Sequence, residues 1–171
     1  MRPPFAAKTL KPGNHTQALV YFNEGVNFQL QNKPANAIAD YAKAIAADPA
    51  FTKAYYNLAI AYRGRGLLDR ALDNYELALI ADPSYSDARF NYAVLLQEQG
   101  YLDDATSQFE RIVAGNPNDP LAPLAHWSLG GLYARDRATY PKAREHYQAF
   151  LKLSPNSPLA RDIRRWLDQN R

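Results

Sequence analysis

The chain has 171 residues, 47% of them hydrophobic and 22% charged, and no cysteine. That composition belongs to a folded globular protein rather than a disordered tail, and it excludes disulfides, a thiolate nucleophile and any cysteine-ligated metal or cluster. Net charge is +3, unevenly spread: residues 1–134 hold 11 basic and 13 acidic side chains, residues 135–171 hold 9 and 4.

The opening MRPPFAAKTLKPG lacks the apolar core of a signal peptide. Charged or amide residues interrupt every apolar run before the ~20 residues that a membrane-spanning helix needs. A soluble chain is therefore expected, cytoplasmic or a domain of something longer. Residues 1–17 hold Pro3, Pro4 and Pro12 and are expected to form an extended arm or linker.

From there a fixed period organises the chain. Pro49, Pro83 and Pro117 recur every 34 residues and Pro155 follows after 38; Ala37, Ala71, Ala105 and Ala143 keep the same spacing, as do Tyr41, Tyr75, Phe109 and Tyr147. Upstream in each unit, Gly25, Ala59, Ala93 and Gly130 precede Phe28, Tyr62, Leu96 and Tyr133. Within a unit, Tyr55, Leu58 and Tyr62, then Leu68, Ala71, Leu72, Tyr75, Ala78 and Leu79, fall at three- and four-residue spacings, so two amphipathic helices are predicted. Asn32, Gly66 and Gly100 stand between them as helix stops. Asp48–Pro49, Asp82–Pro83 and Asn116–Pro117 separate one unit from the next. No such unit buries its apolar face alone, so the units must stack. Ser157 to Asn170 carries Leu159, Ile163, Trp166 and Leu167 on one helical face, as a terminal cap would.

These positions resemble the motif of the tetratricopeptide repeat family, best in Tyr55, Leu58, Ala59, Tyr62, Ala71, Tyr75, Ala78 and Pro83. The resemblance implies an all-α, right-handed α-solenoid of four helix-turn-helix repeats over residues 18–157 (18–51, 52–85, 86–119 and 120–157), with a capping helix at 158–171. Departures are Glu24 for Leu, Arg89 for the first aromatic, and Ile112 and Phe150 for small residues. The fourth unit is stretched by Asp119, Pro120 and Pro123 and crowded at its turn by Arg135, Asp136 and Arg137.

No convergent catalytic set emerges. His15, His126 and His146 are read as belonging to different units, there is no HExxH pair, and GRG at Gly64 to Gly66 is an interhelical turn rather than a phosphate loop. Neither enzyme activity, cofactor nor metal is expected. The adjacent Gly130 and Gly131 suit close helix packing.

In the family the resemblance indicates, the first helices line a concave groove. Asn23, Asn57 and Asn91 recur at one position of three successive first helices, resembling the asparagine ladder of superhelical tetratricopeptide and armadillo proteins, which implies capture of a peptide backbone. Phe22, Tyr56 and Phe90, and Val26, Ile60 and Val94, flank that row, either as an apolar groove floor or as packing between helices; Trp127 extends the line. Lys53, Arg63, Asp87, Gln97 and Glu98 give a rim of mixed sign. Chaperone-binding relatives use a Lys, Asn and Arg clamp on a terminal carboxylate, whereas Phe22, Val26 and Asp87 stand at clamp positions here and Asn57 alone fits. The expected function is a protein-interaction scaffold for an extended or helical segment. Two alternatives remain: an anionic partner at Lys142, Arg144, Lys152, Arg161, Arg164 and Arg165, with nucleic acid disfavoured, and homo-oligomerisation through a terminal repeat or through Phe5 and Leu10 of the arm. The closing SPNSPLA resembles bacterial envelope proteins of outer-membrane assembly and the Tol–Pal system.

Overall fold

The computed structural model describes residues 10–116 and 118–170; Phe5 and Pro117 lie outside them. Among the described residues there are nine α-helices, one 3-10 turn and no strand. In chain order they are α1 (His15–Leu30), α2 (Pro34–Ala47), α3 (Thr52–Gly64), α4 (Leu68–Ala81), α5 (Ser86–Glu98), α6 (Leu102–Ala114), α7 (Ala122–Tyr133), the 3-10 turn Arg137–Thr139, α8 (Tyr140–Leu153) and α9 (Ala160–Gln169). They gather into two compact bodies, the first running to Leu95 and the second from Leu96.

The interhelical stops act through the backbone. Asn32, Gly66 and Gly100 have φ of 55°, 72° and 81°, the left-handed region in which a side chain is strained and glycine is not. Each reversal closes with the paired bonds that satisfy the last carbonyls of a helix. The N–H of Leu67 donates to Tyr62 O at 3.0 Å and that of Gly66 to Arg63 O at 2.9 Å, and Tyr101 and Gly100 repeat the pattern onto Leu96 and Gln97. The fourth turn has no such residue. Its last helix carbonyl, Tyr133 O, accepts from Thr139 Oγ1 at 2.5 Å, while Asp136 Oδ1 accepts from the Ala138 N–H.

In the first body the second-helix aromatics form the core. Tyr41 and Tyr75 are fully buried, as are Ala37, Ala44, Ala71 and Ala78 around them. Tyr41 packs against the Gly25 backbone so closely that an added Cβ there would lie 2.7 Å from its ring. Arg89, which replaces an aromatic, is itself buried and ties its guanidinium to Pro83 O.

The second body repeats this contact and thereby fixes the register of the fourth hairpin. A Cβ on Gly130 would stand 2.4 Å from the Tyr147 ring, as on Gly25 against Tyr41, and the one extra residue between glycine and tyrosine is taken up in the 3-10 turn. Ile112 and Phe150, larger than the small residues the motif favours, are buried core side chains. Phe150, Tyr147 and Ile163 form one cluster, joined by Leu159, Trp166 and Leu167 of the terminal segment. Trp166 meets Tyr140 and Tyr147 edge-on, with ring centroids 5.2 and 5.0 Å apart.

Candidate functional site

The first helices of the first body carry the amide row. Asn23 on α1 is exposed, and Asn57 on α3 and Asn91 on α5 are half-buried. The structure links two of the three positions through the aromatic beside Asn57: Asn91 Nδ2 donates to Tyr56 Oη at 3.1 Å and to Asp87 O at 2.9 Å. Those bonds use the donor side of the Asn91 amide and leave its Oδ1 as an acceptor. Burial, then the nearby Asp87 carboxylate, pushes the Tyr56 phenol above its ordinary range, with the Asn91 bond opposing. Tyr56 therefore remains a neutral hydroxyl at physiological pH.

The flanking aromatics are anchored rather than fully open. Phe22 lies 5.7 Å from Tyr41 and 5.1 Å from Phe51; Tyr56 lies 6.1 Å from Tyr75 and 5.3 Å from Tyr85. The same triad thus occurs twice, 34 residues apart, each joining a first helix to the second helix of its own hairpin and to the segment preceding the next one. The signal for it was present in Phe51 and Tyr85, themselves 34 apart, at positions outside both predicted helices. Such contacts hold aromatic rings at 5–6 Å in edge or tilted geometry, each adding about 0.5–1.5 kcal/mol beyond burial. Val26 packs on the cluster around Tyr41. Ile60 lines a cleft of about 250 Å³ with Gln29, Pro34, Ala37 and Gly64. Phe90, Val94 and Arg63 are half-buried, and Lys53 and Asp87 are exposed.

Trp127, on α7 of the second body, is 41% exposed. At the next position Ser128, buried, stands in register with the asparagines, so the amide row stops with α5. The basic residues of the second body are partly engaged within it. Arg144 donates to Asn170 O, Arg164 to Pro155 O at 3.0 Å, and Arg165 pairs with Asp162 at 3.2 Å. Lys142 sits over the Tyr133 ring at 5.0 Å, and Arg161 is exposed.

Two clusters were not anticipated from sequence. The buried carboxylate of Asp48 accepts from the Gly13 N–H at 2.9 Å and the Ala50 N–H at 3.2 Å, and meets His15 Nδ1 at 2.7 Å. Burial alone would raise its pKa, but the bonds from Gly13, His15 and Ala50 outweigh it and hold the group below the ordinary carboxylate range. The second cluster joins His126 of α7 to His146 of α8, so these two histidines share the fourth hairpin instead of belonging to different units. Asp48 looked like loop punctuation because its partners lie up to 35 residues away in sequence.

Paired helices, in the first three hairpins joined by three-residue reversals, repeated with a stacked core, define a helical-repeat interaction module of the α-solenoid class. The chain belongs to the tetratricopeptide repeat family, whose models match residues 22–86 and 63–123. Such repeats are generally non-catalytic interaction modules, and no described helix is long and apolar enough to cross a membrane. No curated protein matches the chain. Among solved structures it is similar to the first TPR of Spaghetti (RPAP3) bound to the HSP90 peptide SRMEEVD, at 26% identity and TM-score 0.62 over 70% of this chain and 93% of that one. It is also similar to the second TPR domain of human RPAP3 in complex with the HSP70 peptide SGPTIEEVD, at 28% identity and TM-score 0.61 over 70% and 98%. A tetratricopeptide repeat protein from Parabacteroides merdae superimposes with TM-score 0.79 at 22% identity, over 91% of this chain and 60% of that one, a likeness of fold.

Proposed function

We propose that the first body recruits a protein partner by holding an extended segment along the amide row of α1, α3 and α5. The observation that carries this reading is the recurrence of Asn23, Asn57 and Asn91, each directly after Phe22, Tyr56 or Phe90. An amide offers one acceptor and two donors, the complement of a peptide unit, and a regularly spaced series recognises backbone irrespective of side chains. Among the described residues the side-chain amides of the exposed Asn23 and the half-buried Asn57 make no hydrogen bond, so both can turn to a ligand. The two triads fix Phe22 and Tyr56, the residues that directly precede Asn23 and Asn57. Side-chain selectivity would come from the exposed Lys53 and Asp87 and from the cleft at Ile60.

The peptides held by the two RPAP3 domains end in EEVD. Here Phe22, Val26 and Asp87 occupy the positions where the chaperone-binding clamp needs bases and an amide, and Asp87 would repel an acidic tail. The partner is accordingly a segment of another class, and neither SRMEEVD nor SGPTIEEVD is expected to bind in a fluorescence polarisation titration.

The direct test pans a displayed peptide library on the whole chain and then measures selected peptides against variants. Asn23→Ala with Asn57→Ala should weaken them by about tenfold or more, since two lost hydrogen bonds of about 1 kcal/mol each exceed the 1.4 kcal/mol of one decade. Tyr56→Phe keeps the ring in its triad and removes only the hydroxyl that accepts from Asn91. Undiminished binding by the folded double variant places recognition elsewhere.

A further inference from the structure

Between α7 and α8, His126 and His146 approach Nδ1 to Nδ1 at 2.9 Å, with ring centroids 5.2 Å apart. Two imidazole nitrogens at that distance share one hydrogen. Were both protonated, two donors would collide; were neither, two lone pairs would face each other. One ring must therefore be the Nδ1–H tautomer and the other must present a bare Nδ1. A first added proton goes to the outward Nε2 of the donor ring and leaves the bridge intact, whereas a second has to take the bridging acceptor itself. We infer that His126 and His146 form a proton-operated latch on the α7–α8 hairpin, closed while a single hydrogen bridges the rings and sprung when both become imidazolium.

The surroundings make the latch responsive. His146 is stacked on Tyr133 of α7, with centroids 5.6 Å apart and planes within 6°, and Tyr133 Oη donates to Glu110 of α6 at 2.5 Å. The ring pair thus lies between α7 and α8 and is linked through Tyr133 to α6, so separating it disturbs the Tyr133 stack. Burial lowers the pKa of His126, and burial followed by the His126 charge lowers that of His146. The charges acting on the pair come from α6 and α8: Glu110 and Glu145 favour an imidazolium at His146, and Lys142 opposes it. α7 contributes the Tyr133 phenol, neutral because burial and then Glu110 push it to about 12. Because the folded rings bind protons less readily than unfolded ones, the unfolded state holds more protons as pH falls below the ordinary histidine value, and stability of this hairpin declines over that range. In the other hairpins the position of His146 is held by Asp40, Asn74 and Gln108, so the paired rings are particular to this one.

Hydrogen exchange of the whole chain at pH 7.5 and pH 5.0, corrected for intrinsic exchange rates, tests this. Amides of α7 and α8 should lose protection on acidification, while α3 and α4, which contain no histidine, should not change. In His126→Asn, whose amide can keep the bridge but gains no proton, the response should disappear. Imidazole ¹⁵N spectra of the unaltered chain provide a second readout that needs no variant. Two coupled steps, the later one displaced to acid pH and accompanied by loss of the Tyr133 ring shift, support the latch. Independent titration of both rings near the ordinary histidine value, or equal pH dependence in His126→Asn, overturns it.

Discussion

At the scale of single residues, the energies concentrate in buried side chains that each join two or three helices. Tyr75 is fully enclosed and supports Tyr56 from beneath, so Tyr75→Ala should cost about 3–5 kcal/mol, measured by urea unfolding. That is a large share of the stability of an ordinary domain. Asp48 acts by polarity. Replacing it with alanine leaves the Gly13 and Ala50 donors without their acceptor, at a cost of about 1–3 kcal/mol. Its folded pKa is depressed, so the stabilisation is complete above the unfolded value near 4 and fades as pH drops through the folded one. The stability gap between the native chain and Asp48→Ala should therefore narrow below about pH 4. Tyr75 could be read from sequence because its environment is set by a 34-residue period and a helical stripe. Asp48 could not, since a carboxylate before proline suits any loop and its role depends on where Gly13 and His15 arrive in three dimensions.

At the scale of elements, hairpin geometry turns on which small residue faces the second-helix aromatic. Gly25 and Gly130 admit Tyr41 and Tyr147 so closely that Gly130→Ala and Gly25→Ala must displace a buried ring, with an expected cost of about 1–3 kcal/mol each in thermal or chemical unfolding. The second and third hairpins have Ala59 and Ala93 at this position, both fully buried, so the extra methyl is part of their packing. Ala59→Gly should accordingly lose about 1 kcal/mol through backbone freedom alone. Hairpins one to three were readable because Asn32, Gly66 and Gly100 announce a left-handed stop. The fourth was readable as a hairpin but not in the closure of its turn, because Thr139 and Asp136 close it with side-chain hydrogen bonds whose partners no spacing rule specifies. The aromatic row was readable as a row, yet its direction was not: amphipathic periodicity places Phe22 and Tyr56 on a face, and only the second 34-residue pair, Phe51 and Tyr85, shows that they are fastened from behind.

At the scale of the whole molecule, charge separates the proposed recognition face from the basic terminal segment, and salt separates their behaviour. A partner held by its backbone on neutral amides releases few counterions, whereas a polyanion docked on lysines and arginines releases condensed counterions, and its binding falls steeply between about 50 and about 200 mM salt. The basic segment is less free than its composition suggests, because Arg144 and Arg164 donate to backbone carbonyls and Arg165 is paired with Asp162. Peptides selected on the chain should therefore change affinity by less than about threefold over that salt range, as for interactions that do not depend on exposed charges, and should be indifferent to Arg161→Ala. A decline proportional to a high power of salt concentration, relieved by Arg161→Ala and untouched by the Asn23 and Asn57 replacements, would instead assign recognition to the terminal segment. The two sets of variants lie in different bodies, and none of them replaces a buried core side chain, so each outcome can be read on a folded chain.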